Sequence, residues 1–257
     1  NLKPEYDLII LQETLFLTLI YYNIIEALDY YFKNYPINFT QFEKGVEICI
    51  KRDNLESFKF LLNNDSKRNI YNTFNMDNKR NNKKLINLIV EQNGVEFINL
   101  IVKQNGVNIL DYLFKNGLII NRYALIQSSY YGHLEVVKFL CKNGANIHYQ
   151  HNRALISAAE NGHLEVVKFL IENGANISDQ NYLALIRTSK NGHLEVIKYL
   201  IKNGANINAH NDSSLMLASQ YGHLEVVKYL IENGANIHAE NDESLIFASE
   251  YGHLEVV

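Results

Sequence analysis

The sequence predicts an all-α solenoid, a stack of helix-turn-helix units sharing one continuous core. Two observations carry that prediction. The stretch GHLEVVKYLIENGAN at 222–236 recurs as GHLEVVKFLCKNGAN at 132–146, GHLEVVKFLIENGAN at 162–176 and GHLEVIKYLIKNGAN at 192–206, and a fifth copy opens at Gly252. The turn glycines Gly132, Gly162, Gly192, Gly222 and Gly252 set a period of thirty residues. Apolar residues inside each copy follow helical spacing, and one hairpin of this length cannot bury its own apolar face. Successive units must therefore stack.

In the copy at 222–236, Leu224, Val226, Val227, Leu230 and Ile231 fall on one helical stripe, and Glu225, Lys228 and Glu232 fall outside it. This outer helix has about three turns. Glu225 in the first turn complements the helix dipole and pairs with Lys228 for a few tenths of a kcal/mol. Asn233-Gly234 stops the helix, because glycine enters the left-handed conformation without a Cβ penalty. Upstream of each copy a shorter inner helix is expected, at 154–160, 184–190, 214–220 and 244–250. Its paired small residues, Ala158-Ala159, Thr188-Ser189, Ala218-Ser219 and Ala248-Ser249, let neighbouring inner helices approach closely. Gly222 ends the inner helix and turns the chain into the outer one.

The apolar stretch 8–22 is interrupted by Gln12, Glu13 and Thr14, and is too short and too acidic for a membrane span or a signal peptide. NIIEALDYYFKN at 23–34 and DNLESFKFLLNN at 53–64 align with GHLEVVKFLIEN and read as degenerate units. The polar run 65–83 has no apolar period and reads as a long loop or insert. LINLIVEQNGV at 85–95 and FINLIVKQNGV at 97–107 are near copies of each other. The second supplies the inner helix of a unit whose outer helix is 107–115, and 85–92 reads as the outer helix of the unit before. The expected organisation is degenerate units over 1–117, then regular units at 118–147, 148–177, 178–207, 208–237 and 238–257.

A hydrophobic content of 47% supports a folded chain, and a net charge of −4 implies neither a polyanion partner nor an anionic membrane. Cys49 and Cys141 give no disulfide framework, so a reducing intracellular compartment, with cytoplasm first, is expected. The first residue is Asn1 rather than Met and the last copy stops at Val257. Both suggest a piece of a longer chain, whose further part carries the polar cap a solenoid end needs.

The recurring G-H-x-x-V-V-x-x-L-x-x-x-G-A resembles the second half of the ankyrin repeat. Two departures stand out. The family's T-P-L-H opening of the first helix is replaced by Arg153-Ala154-Leu155-Ile156, Leu183-Ala184-Leu185-Ile186, Ser213-Ser214-Leu215-Met216 and Glu243-Ser244-Leu245-Ile246. The period is also shorter than the family's, with the deficit in the return loop, so shortened fingers with little or no β-hairpin are expected. The richness in Asn, Ile, Lys and Tyr, with the eroded T-P-L-H, resembles the expanded ankyrin-repeat families of giant amoeba-infecting viruses of the mimivirus type. That resemblance implies a viral product acting in a host cytoplasm, with the virion as the other location.

No residue set points to catalysis or to a cofactor. His133, His163, His193, His223 and His253 recur on adjacent units, whose stacked helices sit about 8–10 Å apart. Two ligands of one zinc each lie about 2.1 Å from it, so equivalent histidines cannot share an ion. They read instead as rings that cap or hydrogen-bond the turn between helices. His148, His151 and Cys141 match no metal signature, and Ser213, Ser214, His223 and Glu225 belong to the repeating frame. The glycines punctuate helices and form no phosphate loop. Lys79, Arg80, Lys83 and Lys84 form the one basic cluster and read as a solvated loop rather than a nucleic-acid contact.

Comparing units within the chain separates a fixed frame from positions that change. The changing positions are the pairs before each turn glycine, Tyr130-Tyr131, Glu160-Asn161, Lys190-Asn191, Gln220-Tyr221 and Glu250-Tyr251. Others lie along the inner helix at Gln127, Ser157, Arg187, Leu217 and Phe247, and at the loop tips, at Tyr149, His151 and Arg153, Asp179 and Tyr182, His210 and Asp212, and Glu240 and Glu243. In the ankyrin family such positions line a concave face that grips other proteins, and tyrosine is a favoured residue at binding hot spots. The resemblance thus implies a non-catalytic interaction module with a protein partner and no small-molecule substrate. A structural spacer in a larger assembly, such as a virion, and a ubiquitin-ligase adaptor acting through a further terminal segment are the alternatives.

Overall fold

The computed structural model describes residues 15–34, 39–68, 98, 101–115 and 122–257. The chain divides into two compact units, Asn1–Asn121 and Arg122–Val257. In the first, the described helices are α1 (15–21), α2 (Ile25–Asn34), α3 (Phe39–Lys51), α4 (Leu55–Arg68), α5 (101–103) and α6 (Val107–Lys115). They alternate as inner and outer helices, and α4 packs against both α2 and α6. Gly45 in α3 lets the inner row close up, since a Cβ there would lie 2.7 Å from the Ile20 side chain of α1.

The hairpin turns of this unit hold Asn23, Asp53 and Asn105 at φ 58°, 48° and 57°. Asn and Asp tolerate the left-handed region better than other residues with a Cβ, so they replace the glycine of the regular copies. Each turn also joins its neighbour. Asn54 donates from Nδ2 to the Ile20 carbonyl at 3.0 Å, and Ser57 donates from Oγ to Asn23 Oδ1 at 2.8 Å. The Asp53 carboxylate accepts from the backbone N–H groups of Asn108 and Ile109, each at 3.1 Å, and from Asn108 Nδ2 at 2.6 Å. It caps the first turn of α6, where the N–H groups have no partner within the helix.

One expectation changes here. A loop was placed from Asp65, but α4 continues to Arg68; Asp65 stands where the regular copies carry the stop glycine, and without a left-handed residue the helix runs on. The expected outer helix at 85–92, the rest of the polar run to Lys83 and the basic cluster Lys79, Arg80, Lys83 and Lys84 lie outside the described residues.

In the second unit the inner helices are α7 (Ala124–Tyr130), α9 (Tyr149–Glu160), α11 (Asp179–Lys190), α13 (Ala209–Gln220) and α15 (Glu243–Glu250). The outer helices are α8 (Leu134–Lys142), α10 (Leu164–Glu172), α12 (Leu194–Lys202) and α14 (Leu224–Glu232). Each outer helix buries its Val-Val-Leu or Val-Ile-Leu triplet, as Val226, Val227 and Leu230 do in α14. Inner helices touch through Ala158, Ala159, Thr188, Ser189, Ala218 and Ser219, all at most 1% exposed, and pack more intimately than the outer row. The Glu225–Lys228 pair forms at 3.0 Å on an exposed surface, where such pairs contribute little.

Both helix ends close in the same way. At the end of α14, Ala235 N donates to Leu230 O at 3.0 Å and Gly234 N to Ile231 O at 3.0 Å, with Gly234 at φ 102°; this is a Schellman cap. Asn233 adds a bond from Nδ2 to the Tyr229 carbonyl at 2.8 Å.

No strand occurs among the described residues, as the shortened fingers predicted. A left-handed bend takes the hairpin's place: Gln150, His151 and Asn152 have φ of 49°, 56° and 55°, and His210, Asn211 and Asp212 of 51°, 55° and 62°. Such residues each cost on the order of 1 kcal/mol. Buried side chains offset part of that cost. Asp212, 4% exposed, accepts from Asn208 Nδ2 at 2.8 Å and from Asn236 N, in the return loop that closes the same unit, at 2.9 Å. Asn152 accepts from His148 Nδ1 and Asn176 N and donates to Asp179.

Ser129, Ser189, Ser214 and Ser244 bury their hydroxyls with no hydrogen-bond partner among the described residues. Ala124, Ala154 and Ala184 hold the slot of Ser214 in other units. Ser214→Ala is therefore expected to stabilise the chain, by up to about 1 kcal/mol; a higher melting temperature is the expected reading, and a lower one would contradict it.

Candidate binding surface

The turn histidines do not cap their own helices. His163 Nε2 meets the Tyr130 carbonyl at 2.9 Å, His193 the Glu160 carbonyl at 3.1 Å, His223 the Lys190 carbonyl at 2.8 Å and His253 the Gln220 carbonyl at 2.9 Å. Each ring donates across the seam to a carbonyl left over at the end of the preceding inner helix. Of the two expected roles, the hydrogen bond to a turn between helices forms and the cap does not; the turn is that of the preceding unit, so the frame histidines join units. Burial, then the like charges of His163 and His223, lower the His193 pKa against the opposing hydrogen bond to Glu160.

A folded-state value below the unfolded one means the unfolded chain binds the proton more readily. The His193 contribution is therefore fully present above the unfolded value near 6.5 and is lost as pH falls through the folded value. Melting temperature should decline on acidification through that window, and His193→Gln should flatten the decline. An identical pH profile in the variant would refute the assignment.

With the frame fixed, the changing residues stand on one face of each inner helix. Gln127, Tyr130 and Tyr131 share a stripe at 3 and 4 spacing, as do Arg187, Lys190 and Asn191, Leu217, Gln220 and Tyr221, and Phe247, Glu250 and Tyr251. Tyr130, Tyr221 and Tyr251 are 51%, 47% and 58% exposed. Tyr131, Asn191 and Glu250 are exposed too, and Glu160, Asn161, Arg187, Lys190, Gln220 and Phe247 are half-buried. Ser157 departs from the pattern. It is buried at 3%, because a residue this small lets neighbouring helices close over it.

Side chains of adjacent units meet on this face. Arg187 lies 3.5 Å from Glu160, Lys190 Nζ sits 5.1 Å from the Tyr221 ring centroid, and Asn191 donates to the Glu160 carbonyl at 2.6 Å. Tyr130 and Tyr131 pack edge to face, and Tyr131 stacks on His133. The finger residues Tyr149, Arg153, Tyr182 and His210 stand at the other end of the inner helices, about 10 Å away by helix rise. The surface thus has two rows, finger tips and turn ends, joined by the mid-helix slots.

Sequence reasoning missed Arg122 and Tyr123. Both are exposed, with the Arg122 guanidinium 5.7 Å from the Tyr149 ring and Tyr123 edge-on to it at 5.5 Å. The side-chain hydrogen bond with Tyr149, followed by its charge, raises the Tyr123 phenol pKa. An Arg-Tyr pair at a finger position was the available signal.

Among the described residues no three metal-ligating side chains come together, and no helix is long and apolar enough to cross a membrane. One groove, lined by Val227, Ile231, Leu245 and Val256, also carries Ser244, His238 and Asp242. His238 Nδ1 pairs with Asp242 at 2.6 Å, but the Ser244 hydroxyl is buried without a partner. No hydrogen bond links the serine to a base, as nucleophilic catalysis needs.

Stacked helical hairpins, near-identical in frame and tied unit to unit, define a helical repeat scaffold with a variable exposed face. The family model described as Ankyrin repeats (3 copies) matches residues 46–151, 98–181 and 178–241. The chain belongs to the ankyrin-repeat family, whose members generally serve as protein–protein interaction modules and are typically not catalysts. No curated protein matches it.

Proposed function

We propose that residues 122–257 form a non-catalytic recognition module that holds a protein partner on the face built by the inner helices and finger tips. The observation that carries this reading is the contrast within the repeat. The frame residues that fix the fold barely change between units, while the exposed positions before each turn glycine change freely and include Tyr130, Tyr131, Tyr221 and Tyr251. Large aromatic side chains lose few rotamers on binding and offer one polar tip, which suits them to anchor an interface. Glu160, Arg187, Lys190 and Glu250 add charges of both signs, favouring a partner surface of mixed charge. No cofactor, nucleic acid or membrane enters this reading.

The test compares capture from cell lysate by the chain and by a variant with Tyr131, Lys190, Tyr221 and Tyr251 changed to Ala. Tyr131, Tyr221 and Tyr251 are exposed, where a substitution shifts stability by about 0.5 kcal/mol or less, and Lys190 is half-buried, so the variant should stay folded, which its melting curve checks. A protein retained by the parent and lost from the folded variant supports the face. Equal retention by both would assign the contacts elsewhere and favour a structural spacer.

A further inference from the structure

The four Asn-Gly pairs that close the outer helices carry a chemistry the binding face does not use. Asn143, Asn173, Asn203 and Asn233 each donate from Nδ2 to the carbonyl four residues back, Phe139, Phe169, Tyr199 and Tyr229, at 2.8 Å. The glycine that follows each one is tied as well. Gly144 N donates to Cys141 O at 3.1 Å, and Gly174, Gly204 and Gly234 donate to Ile171, Ile201 and Ile231 at 3.0 Å.

These are the two groups that react when an asparagine deamidates. The glycine nitrogen loses its proton and attacks the Asn side-chain carbon. A C–N bond forms, the bond to Nδ2 breaks, and ammonia leaves with the proton. Water then opens the resulting succinimide to aspartate or isoaspartate. Glycine, lacking a side chain, is the successor that hinders this attack least.

We propose that these four asparagines are latent modification sites, held unreactive by the Schellman caps and converted when a unit opens. Conversion makes the opening permanent. Aspartate has no Nδ2 donor and places a negative charge at the negative end of the helix, while isoaspartate lengthens the backbone so that the cap cannot close.

The experiment is site-resolved mass spectrometry of the whole chain held in mildly alkaline buffer, native and in denaturant. Reaction through an opened unit is slowed by the population of that open form, so native conversion at Asn173 should be at least about tenfold slower than in denaturant. Native rates equal to the unfolded ones would overturn the proposal. Asn173→Asp, which installs one product directly, should lower the melting temperature. Unchanged melting would remove the claim that conversion locks a unit open.

Discussion

Gly192→Ala is expected to lower the free energy of unfolding by more than about 2 kcal/mol, whereas Gly252→Ala is expected to lower it by about 1 kcal/mol. Both glycines occupy the same slot at φ 76°, so both substitutions meet the same backbone penalty. They differ in what a Cβ touches. On Gly192 it would lie 2.6 Å from Nδ1 of the His223 ring, while on Gly252 nothing stands within 4 Å. The ring cannot retreat without giving up its 2.8 Å bond to the Lys190 carbonyl, and a lost bond of that kind costs on the order of 1 kcal/mol. The pair of variants separates strain in the turn from collision across the seam. A double-mutant cycle sharpens the point: with His223→Ala in place, Gly192→Ala should cost little more than Gly252→Ala. Equal losses for Gly192→Ala and Gly252→Ala in denaturant melts would contradict the interlock.

Asp53→Ala should cost about 2 kcal/mol, expressed in the first unit. The carboxylate accepts two backbone N–H groups at the start of α6 and one side-chain donor, and its charge sits at the positive end of that helix. Asp53→Asn keeps one acceptor oxygen and should lose only part of the effect. Cys49 supplies the readout, since its thiol is fully buried and burial pushes its pKa up to about 12. A thiol reagent therefore reports opening of the first unit. Labelling should accelerate in Asp53→Ala; a rate matching the parent would show that the cap is dispensable.

The outer helices and their Asn-Gly stops were legible in the sequence because each depends on contacts within one unit or on a residue type with a single conformational use, and the small inner residues because they recur in the same two slots of every copy. Val107–Lys115 was bounded correctly for that reason. The seam was not legible. The partner of His223 lies 33 positions earlier, at Lys190, and nothing local to the histidine points there. The finger bend was half legible: the loop's shortness forbids a hairpin, but three successive left-handed residues with a Cβ become tolerable only once Asp212 and Asn152 are buried against the following return loop. Asp53 was legible only as part of a degenerate copy, when its departure from glycine is what supplies the cap. On the candidate surface, the variable positions could be picked out by comparing units, whereas the burial of Ser157 and the Arg122–Tyr149 contact required the packed helices.

A photo-activatable cross-linker placed in turn at Tyr221 and at Lys228 tests whether the inner-helix face holds the partner. Tyr221 stands on the inner-helix face and Lys228 on the exposed side of α14, one on the surface assigned to recognition and the other on the fixed frame. The partner captured by the chain should be joined covalently through position 221 and not through 228. Cross-linking through 228 alone would place the partner on the outer helices and contradict the assignment.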